Sequence, residues 1–354
     1  MAAGGGQAAS GEHGGLDSTG CRGGLCPCGK RQRHHRDGEM IGFDSTARFP
    51  GTGEVLAGRD MRGRFAVVTG GSGGIGLATA EALSRAGVEV VIASRQGPKL
   101  NAAVDAVRIA ARAPVHGLAL ELSDIGSVDR LADAVLALDR KIDMVIANAG
   151  VIGPFALSGA GIEMGLMTNV VGHAILFSRF SQHMADGGRA VCLSSFGHHY
   201  SPFDFDDPNF KNRPYAAWTS YGQSKTGCCL LAVRLSNALR DRAIDAFSVH
   251  PGAIPTSMGR CMTAGDHAYS RERTGPIDPS DYKTPDQGAA TTIWGLTEPR
   301  LKGLGGAYLE DCHVADVRDE PNYRSGVMRY AVDPVAADRM WTLIEDLIGR
   351  ELPL

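Results

Sequence analysis

A tyrosine and a lysine lie four residues apart in the stretch SYGQSKTGCCLL, residues 220–231. On a helix, this spacing places the Tyr221 phenol and the Lys225 ammonium on one face, where both can reach one ligand. Hydride addition to a carbonyl leaves an alkoxide that needs a proton, and a phenol beside a cation is a suitable donor. The same spacing also occurs on solvated helix faces, so the rest of the chain has to decide between these interpretations.

Other polar residues could complete such a site. Ser194 and Ser195 follow the apolar run RAVCL, and a serine hydroxyl at the end of a parallel strand can hold a substrate oxygen. Asn169 lies within the helical pattern MTNVVGHAIL. It is either an ordinary buried helix residue or an amide that holds a water or kinks the helix, and its spacing leaves both open.

A glycine-rich turn lies between the first predicted strand and the first predicted helix, in VVTGGSGGIG at residues 67–76. A dinucleotide pyrophosphate must approach bare backbone there and meet the free amides of the helix N-terminus. Gly70, Gly74 and Gly76 provide that access. Because a strand precedes the turn and a helix follows it, the pattern predicts nucleotide binding.

The end of the second predicted strand indicates which nicotinamide cofactor binds. NAD-selective sites usually carry an acid there, whereas this chain has Ser94 followed by Arg95, with Lys99 nearby. An arginine favours the 2′-phosphate of NADP, so NADP is favoured over NAD. The alternative is that Arg95 merely caps a strand at the surface. The small residues of ANAG, 147–150, follow the fourth strand and let the chain pass close to an adenine ribose.

From Arg64 onward the chain alternates short β-branched runs with longer helical patterns, which is typical of a parallel sheet covered on both faces. We predict an α/β fold with a single Rossmann-type doubly wound domain of about seven parallel strands flanked by helices. The predicted divisions are a disordered glycine-rich segment 1–40, an extended arm 41–63, and a Rossmann domain 64–350 with substrate loops 196–219 and 256–284.

Composition excludes several classes of protein. The chain has 354 residues and a formal net charge of -3, so it has no electrostatic footprint for nucleic acid. It lacks an apolar run long enough to span a membrane and the apolar core of a signal peptide, so a cytoplasmic location is expected. Eight cysteines are too few for a disulfide scaffold. Five potential ligands near the N-terminus miss the usual zinc spacings, and no metal is predicted; they are Cys21, Cys26, Cys28, His34 and His35.

The ordered series of motifs resembles the short-chain dehydrogenase/reductases over roughly residues 60 to 350. The matching patterns are T-G-x-x-x-G-x-G at 69–76, N-A-G at 148–150, Asn169, Ser195, Y-x-x-x-K at 221–225 and P-G-x-x-x-T at 251–256. The resemblance implies that Ser195 orients the substrate oxygen and Tyr221 is the general acid/base. It also implies that Lys225 makes the phenol a better acid and holds the nicotinamide ribose, while Asn169 completes a proton relay through water. The implied cofactor contacts are Gly70, Ser72, Gly74, Ile75, Gly76, Ser94, Arg95, Glu121, Leu122, Asn148, Ala149, Gly150, Tyr221, Lys225, Pro251, Gly252, Ile254 and Thr256.

Finer features are similar to one branch, which contains retinol dehydrogenases, WW-domain-containing oxidoreductases and protochlorophyllide reductases. This branch shares the long connection between Ser195 and Tyr221. Glu121 departs from the family, which places an aspartate near the adenine, so that contact is in doubt. Homodimers and homotetramers are common in the family, and the apolar stretch after Lys225 suits either such pairing or a core position.

The sequence therefore predicts an NADP(H)-dependent oxidoreductase that interconverts an alcohol and a ketone or aldehyde on a lipophilic or aromatic small molecule. The alternative is a catalytically silent NADP-binding scaffold or regulatory protein. Aromatic residues of the insert loops could line an apolar substrate pocket or pack on the protein itself. They are Phe203, Phe205, Phe210, Tyr215 and Trp218.

Overall fold

The computed structural model describes Met1, residues 35–36, residues 39–255 and residues 257–354. The chain divides into two units, Met1–Arg31 and Gln32–Leu354, and all elements below belong to the second. Most of the predicted glycine-rich segment lies outside the described residues, and so do Cys21, Cys26, Cys28 and Thr256. Predictions for those residues stay predictions.

An eight-stranded sheet forms the centre of the second unit. Its strands are β1 (Phe65–Thr69), β2 (Glu89–Ser94), β3 (Val115–Ala119), β4 (Ile142–Ala147), β5 (Met184–Leu193), β6 (Asp245–His250), β7 (Tyr308–Glu310) and β8 (His313–Val314). They lie in the order β8-β7-β6-β5-β4-β1-β2-β3. Neighbouring strands are parallel except β7 and β8, so the predicted doubly wound fold is confirmed. The antiparallel edge strand β8 was not predicted, because two residues are too short for a recognisable pattern.

Strand β1 shows why the inner strands read as continuous apolar runs. All five of its residues are buried, and Val67 pairs with Val91 of β2 and Val145 of β4. Successive side chains of a strand point to opposite faces. Accordingly Phe65 belongs to the apolar core on one face of the sheet, whereas Val68 belongs to the core on the other.

Eight helices of the described chain cover the sheet and the cleft at its edge. Helix α6 (Ala264–Thr274) falls inside the predicted loop 256–284 and buries none of its residues, so it has no apolar periodicity by which it could be predicted. The helices are α1 (Gly74–Arg85), α2 (Pro98–Arg108), α3 (Ile125–Leu136), α4 (Met164–Leu166, the π-helical turn Met167–Val171 and Gly172–Ser181), α5 (Ala217–Ala238), α6 (Ala264–Thr274), α7 (Pro285–Thr297) and α8 (Pro334–Ile348).

Short elements connect these parts. The parallel pair Val317–Arg318 and Val327–Met328 lies near the C-terminus, and His35–Arg36 pairs with Glu39–Met40. Single helical turns occur at Thr52–Val55, Phe196–Tyr200, Arg240–Arg242, Ser257–Cys261, Pro279–Asp281, Pro299–Leu301 and Arg329–Val332.

The segment 41–63, predicted as an extended arm, includes one of these turns and packs against α7. Ile41 and Val55 are buried. The Thr52 hydroxyl donates a hydrogen bond to the Asp286 carboxylate, and the Gln287 amide donates to the Phe49 carbonyl at 3.3 Å. The segment therefore fastens to the first turn of α7.

Candidate active site

A cleft of about 1440 Å³ opens at the carboxyl ends of the central strands. Pockets for a single drug-sized ligand usually measure ~300–1,000 Å³, so this volume suits a dinucleotide together with a second molecule. Of the predicted site residues, Asn169 does not line the cleft, and Thr256 lies outside the described residues. The predicted residues that do line it are Gly70, Ser72, Gly74, Ile75, Gly76, Ser94, Arg95, Glu121, Leu122, Asn148, Ala149, Gly150, Ser195, Tyr221, Lys225, Pro251, Gly252 and Ile254.

The glycine turn leaves room for an anion against bare backbone. Gly70 and Gly74 have φ angles of +68° and +56°, in the left-handed region that favours glycine. A Cβ on Gly76 would lie 2.5 Å from the Gly70 carbonyl oxygen. Helix α1 begins at Gly74 without a side-chain cap, so its first amides are available to a ligand. The turn therefore fits a pyrophosphate.

The corner beside this turn is cationic. The Ser72 and Ser94 hydroxyls lie 2.7 Å apart and join the turn to the end of β2. Arg95 and Lys99 are exposed, line the cleft, and form no ion pair with any described residue. The Glu121 carboxylate accepts hydrogen bonds from Ser123 of its own loop. The corner therefore presents two free cations to a ligand.

Ser195, Tyr221 and Lys225 come together deeper in the cleft. The Tyr221 ring lies 5.5 Å from the Lys225 ammonium, and its hydroxyl lies 3.6 Å from the Met258 sulfur. The Ser195 oxygen accepts the Gly197 amide at 3.0 Å. No described residue accepts the Ser195 hydroxyl hydrogen, which is therefore available to a molecule in the cleft.

Lys225 is buried but keeps its charge. One of its three N–H groups donates to the Leu193 carbonyl at 2.8 Å, at the end of β5. Burial alone would lower the pKa of Lys225, but interactions with the neighbouring Cys228 and Tyr221 favour its charged form, and the pKa lies above its ordinary value. Lys225 is therefore an ammonium at neutral pH, with two N–H groups left for other acceptors.

Asn169 lies behind the wall of the cleft, in the π-helical turn of α4. Its side-chain oxygen accepts the Val151 amide at 2.8 Å, and its amide donates to the Val151 carbonyl at 3.0 Å and to the Ser224 hydroxyl at 2.8 Å. The Ser224 hydroxyl donates in turn to the Tyr221 carbonyl at 2.8 Å. Asn169 thus connects the chain after N-A-G with the helix that carries Tyr221, from a π-helical turn.

Aromatic side chains border Tyr221 in the cleft. Trp218 packs edge-on against Tyr221, with ring centroids 5.8 Å apart, and stacks on Phe196 at 6.3 Å. Tyr215 lines an adjoining pocket of about 390 Å³. Phe203 is buried in the core instead, one of the two outcomes open to the aromatic residues of the insert loops.

Sequence reasoning missed two residues around the site. Met258 contacts the Tyr221 hydroxyl from the turn Ser257–Cys261, and His173 connects Asn169 to Thr69. The motif NVVGHAILF contains His173, but nothing in its spacing shows that the imidazole is hydrogen-bonded at both nitrogens. Neither residue could have been identified without its long-range contacts.

The cleft, the glycine turn and the Ser-Tyr-Lys group together define a nicotinamide-dependent oxidoreductase site on a doubly wound sheet. A family model described as short chain dehydrogenase matches residues 64–266. The chain belongs to the short-chain dehydrogenase/reductase family.

Comparisons with individual proteins place the chain near the retinol dehydrogenase-like branch. It is 40% identical over 301 residues to a probable oxidoreductase of Streptomyces lividans, covering 82% of this chain and 99% of that protein. It is 28% identical to human retinol dehydrogenase 13, covering 82% and 86% of the two chains. The crystal structure of an uncharacterised protein from Mycobacterium paratuberculosis aligns with a TM-score of 0.64 and 28% identity, over 85% of this chain and 98% of that one.

Among the residues that the structure describes, no helix combines the length and apolarity needed to cross a membrane. In the same residues, no group of three or more His, Cys, Asp and Glu side chains is arranged to hold a metal ion.

Proposed function

We propose that this protein is an NADP(H)-dependent oxidoreductase that interconverts an alcohol and a ketone or aldehyde on a lipophilic or aromatic small molecule. The observation that carries the proposal is the meeting of Ser195, Tyr221 and Lys225 in the cleft that also contains the glycine turn. A protein that only bound the cofactor would not need all three side chains.

The chain's own residues can perform the proton chemistry. The Ser195 hydroxyl donates a hydrogen bond to the substrate oxygen and orients that oxygen toward Tyr221. Tyr221 gives its phenolic proton to that oxygen during reduction and takes it back during oxidation. The Lys225 ammonium, fixed by Leu193, stabilises the phenolate that remains. Asn169 holds the two backbone segments that position these groups.

The cleft fits NADP at the glycine turn and the cationic corner. The bound cofactor supplies or accepts the hydride. The amides of the first turn of α1 would hold its pyrophosphate, and Arg95 with Lys99 would hold its 2′-phosphate. Because Ser94 stands where NAD-selective sites carry an acid, nothing at that position repels the phosphate.

The substrate class rests on the walls of the cleft beside Tyr221. Phe196, Trp218, Met258 and Met262 line it there, and aromatic and thioether side chains favour apolar or aromatic ligands. A planar carbonyl compound can pack against Trp218 while its oxygen reaches Ser195 and Tyr221.

The test compares three proteins: wild type, Tyr221→Phe and Arg95→Ala. NADPH and NADH binding are measured by quenching of protein fluorescence, and turnover of a panel of aromatic and aliphatic ketones and aldehydes by loss of reduced-nicotinamide absorbance. We expect Tyr221→Phe to bind NADPH normally with turnover at least ~100-fold lower, since general acid catalysis typically contributes ~10²–10⁴-fold.

We expect Arg95→Ala to weaken NADPH binding about 10-fold or more and to leave NADH binding almost unchanged, because only NADPH carries the 2′-phosphate. A wild-type protein that binds neither cofactor would contradict the oxidoreductase proposal. A Tyr221→Phe variant that retains the biological effect of the wild type would favour a scaffold instead.

A further inference from the structure

His173 is a buried histidine to which the reaction above gives no part. It lies in α4, four residues after Asn169, and is 2% exposed. Its Nδ1 atom lies 3.0 Å from the Asn169 carbonyl oxygen, and its Nε2 atom lies 2.9 Å from the Thr69 hydroxyl oxygen. Both ring nitrogens therefore have one partner each, on opposite sides of the ring.

The partners determine where the imidazole carries its hydrogen. Burial lowers the pKa of His173 to about 4 against the opposing effect of the Asn169 carbonyl, and the Lys225 charge adds to the lowering. The ring is therefore neutral at pH 7, with one donor and one acceptor. Because the Asn169 carbonyl can only accept, Nδ1 carries the hydrogen and Nε2 accepts from Thr69.

Thr69 connects His173 to the turn 148–151, which follows β4 and is called the cofactor turn below. The Thr69 hydroxyl oxygen accepts hydrogen bonds from the backbone amides of Asn148 and Ala149 at 3.0 and 3.1 Å. These two bonds use both lone pairs of the oxygen. Its single hydroxyl hydrogen can go to His173 or to the Ile146 carbonyl at 3.3 Å. The shorter hydrogen bond to His173 holds the Thr69 side chain in the rotamer in which its oxygen accepts from both amides.

The other nitrogen acts on the helix side. The Asn169 carbonyl belongs to the π-helical turn and accepts from His173 and, more weakly, from the Cys228 thiol at 3.4 Å. The Asn169 side chain holds Val151 and Ser224, and Ser224 bonds to Tyr221. One imidazole thus bridges the turn that follows β4 and the residue that orders the catalytic helix.

We propose that His173 is a positioning residue that fixes the cofactor turn 148–151 relative to the catalytic helix α5, through Thr69 on one side and Asn169 on the other. The inference rests on the proposed oxidoreductase function and assigns a role to a residue outside the cleft. It requires a specific tautomer and two separable hydrogen bonds, whereas a residue that only fills space requires neither.

The test divides the two hydrogen bonds between two variants. His173→Asn keeps a donor near the Asn169 carbonyl but loses the hydrogen bond to Thr69. We therefore expect the NADPH dissociation constant to rise about three- to tenfold, with a smaller effect on kcat. His173→Gln can still form the hydrogen bond to Thr69 but loses the one to the Asn169 carbonyl. We therefore expect kcat to fall by a similar factor, with a smaller effect on NADPH binding. His173→Phe should show both effects.

Ser178→Ala is the matched control. Ser178 lies in the same helix, is buried, and donates its hydroxyl hydrogen to the Pro353 carbonyl at 2.8 Å, away from the cleft. Its loss removes a comparable hydrogen bond, and we expect NADPH binding and kcat to stay at wild-type values. If His173→Phe behaves like this control, the proposal is wrong.

Two further measurements need no substrate. Nitrogen-15 NMR of histidine-labelled protein should show His173 neutral with its hydrogen on Nδ1, and a hydrogen on Nε2 would overturn the proposal. The Asn148 and Ala149 amides should exchange faster in His173→Phe than in Ser178→Ala, and equal rates would also overturn it. If wild-type protein neither binds NADPH nor turns over a carbonyl compound, the proposed function fails, and these two measurements still decide the role of His173.

Discussion

Four buried histidines are expected to make the fold sensitive to acid. Burial lowers the pKa of His173, His199 and His250 to about 4, and it lowers that of His198 well below the ordinary 6.5. Smaller contributions differ from site to site: the Lys283 charge lowers the pKa of His250 further, for example. All four rings are therefore neutral in the folded protein at pH 5 to 7.

Unfolding exposes these rings to water, where they take up protons. Between the folded pKa of about 4 and the unfolded value of 6.5, the unfolded chain binds more protons, so stability falls as the pH falls. Lowering the pH from 6 to 5 costs about 1.2 kcal/mol per histidine, or about 4–5 kcal/mol for all four. Domains are typically stable by only ~5–15 kcal/mol, so this is a large share.

Carboxylates contribute at lower pH or with the opposite sign. Asp129 has a lowered pKa, because hydrogen bonds from Arg350 and Arg179 outweigh its burial, and its ordinary value is only 3.8. The stability that the Asp129 carboxylate contributes is therefore lost mainly below pH 4. Burial raises the pKa of Glu310, which offsets part of the loss as the pH falls. The window from pH 6 to 5 consequently reports mostly on the histidines.

The assay is urea unfolding at pH 7, 6 and 5, with the slope of each transition compared to verify that one unfolding reaction is measured. His199→Gln should remove about 1 kcal/mol of the loss between pH 6 and 5, since one of the four protons is then missing. His199 suits this test because its Nδ1 is buried without a hydrogen-bond partner among the described residues. His183→Gln, at an exposed histidine, is the control. A stability that changes by less than about 1 kcal/mol between pH 6 and 5 would refute the reasoning.

Two further substitutions test the glycine turn 67–76 and the segment 41–63. Gly76→Ala should lower stability by ~1–3 kcal/mol and weaken NADPH binding at least ~10-fold, because the added methyl overlaps the Gly70 carbonyl. The control for stability is Gly73→Ala, whose methyl meets only the flexible Lys99 side chain and should lower the free energy of unfolding far less. Thr52→Val should cost ~1–2 kcal/mol in urea unfolding, because it leaves the Asp286 carboxylate without the hydroxyl that donates to it; an unchanged transition would show that the segment does not stabilise the domain.

Those parts of the fold and site that depend on local spacing could be predicted. The buried strand runs and the glycine turn depend on neighbours in sequence, and so does the placement of Tyr221 and Lys225 on one helix face. The family comparison confirms the class of protein that these patterns predicted. The individual residue roles remain predictions for the experiments above.

The parts that could not be predicted depend on distant partners or lack a pattern. Helix α6 buries no side chain, and β8 has two residues, so neither carries a periodic signal. The contacts of Asn169 with Val151 and Ser224 connect residues 18 and 55 positions away. Only the folded chain shows that this amide bridges two backbone segments.

The buried polar side chains of α5 explain how Tyr221 can be placed accurately on a helix that is otherwise largely apolar. Lys225 bonds to Leu193 of β5, and Thr226 bonds to the Ser201 carbonyl at 2.8 Å. Each bond has a required direction, so a small rotation of the helix would break both. Apolar burial has no such directional requirement, and an apolar face could be equally stable. These bonds therefore contribute mainly to the orientation of α5, and through it they fix the position of the Tyr221 phenol in the cleft.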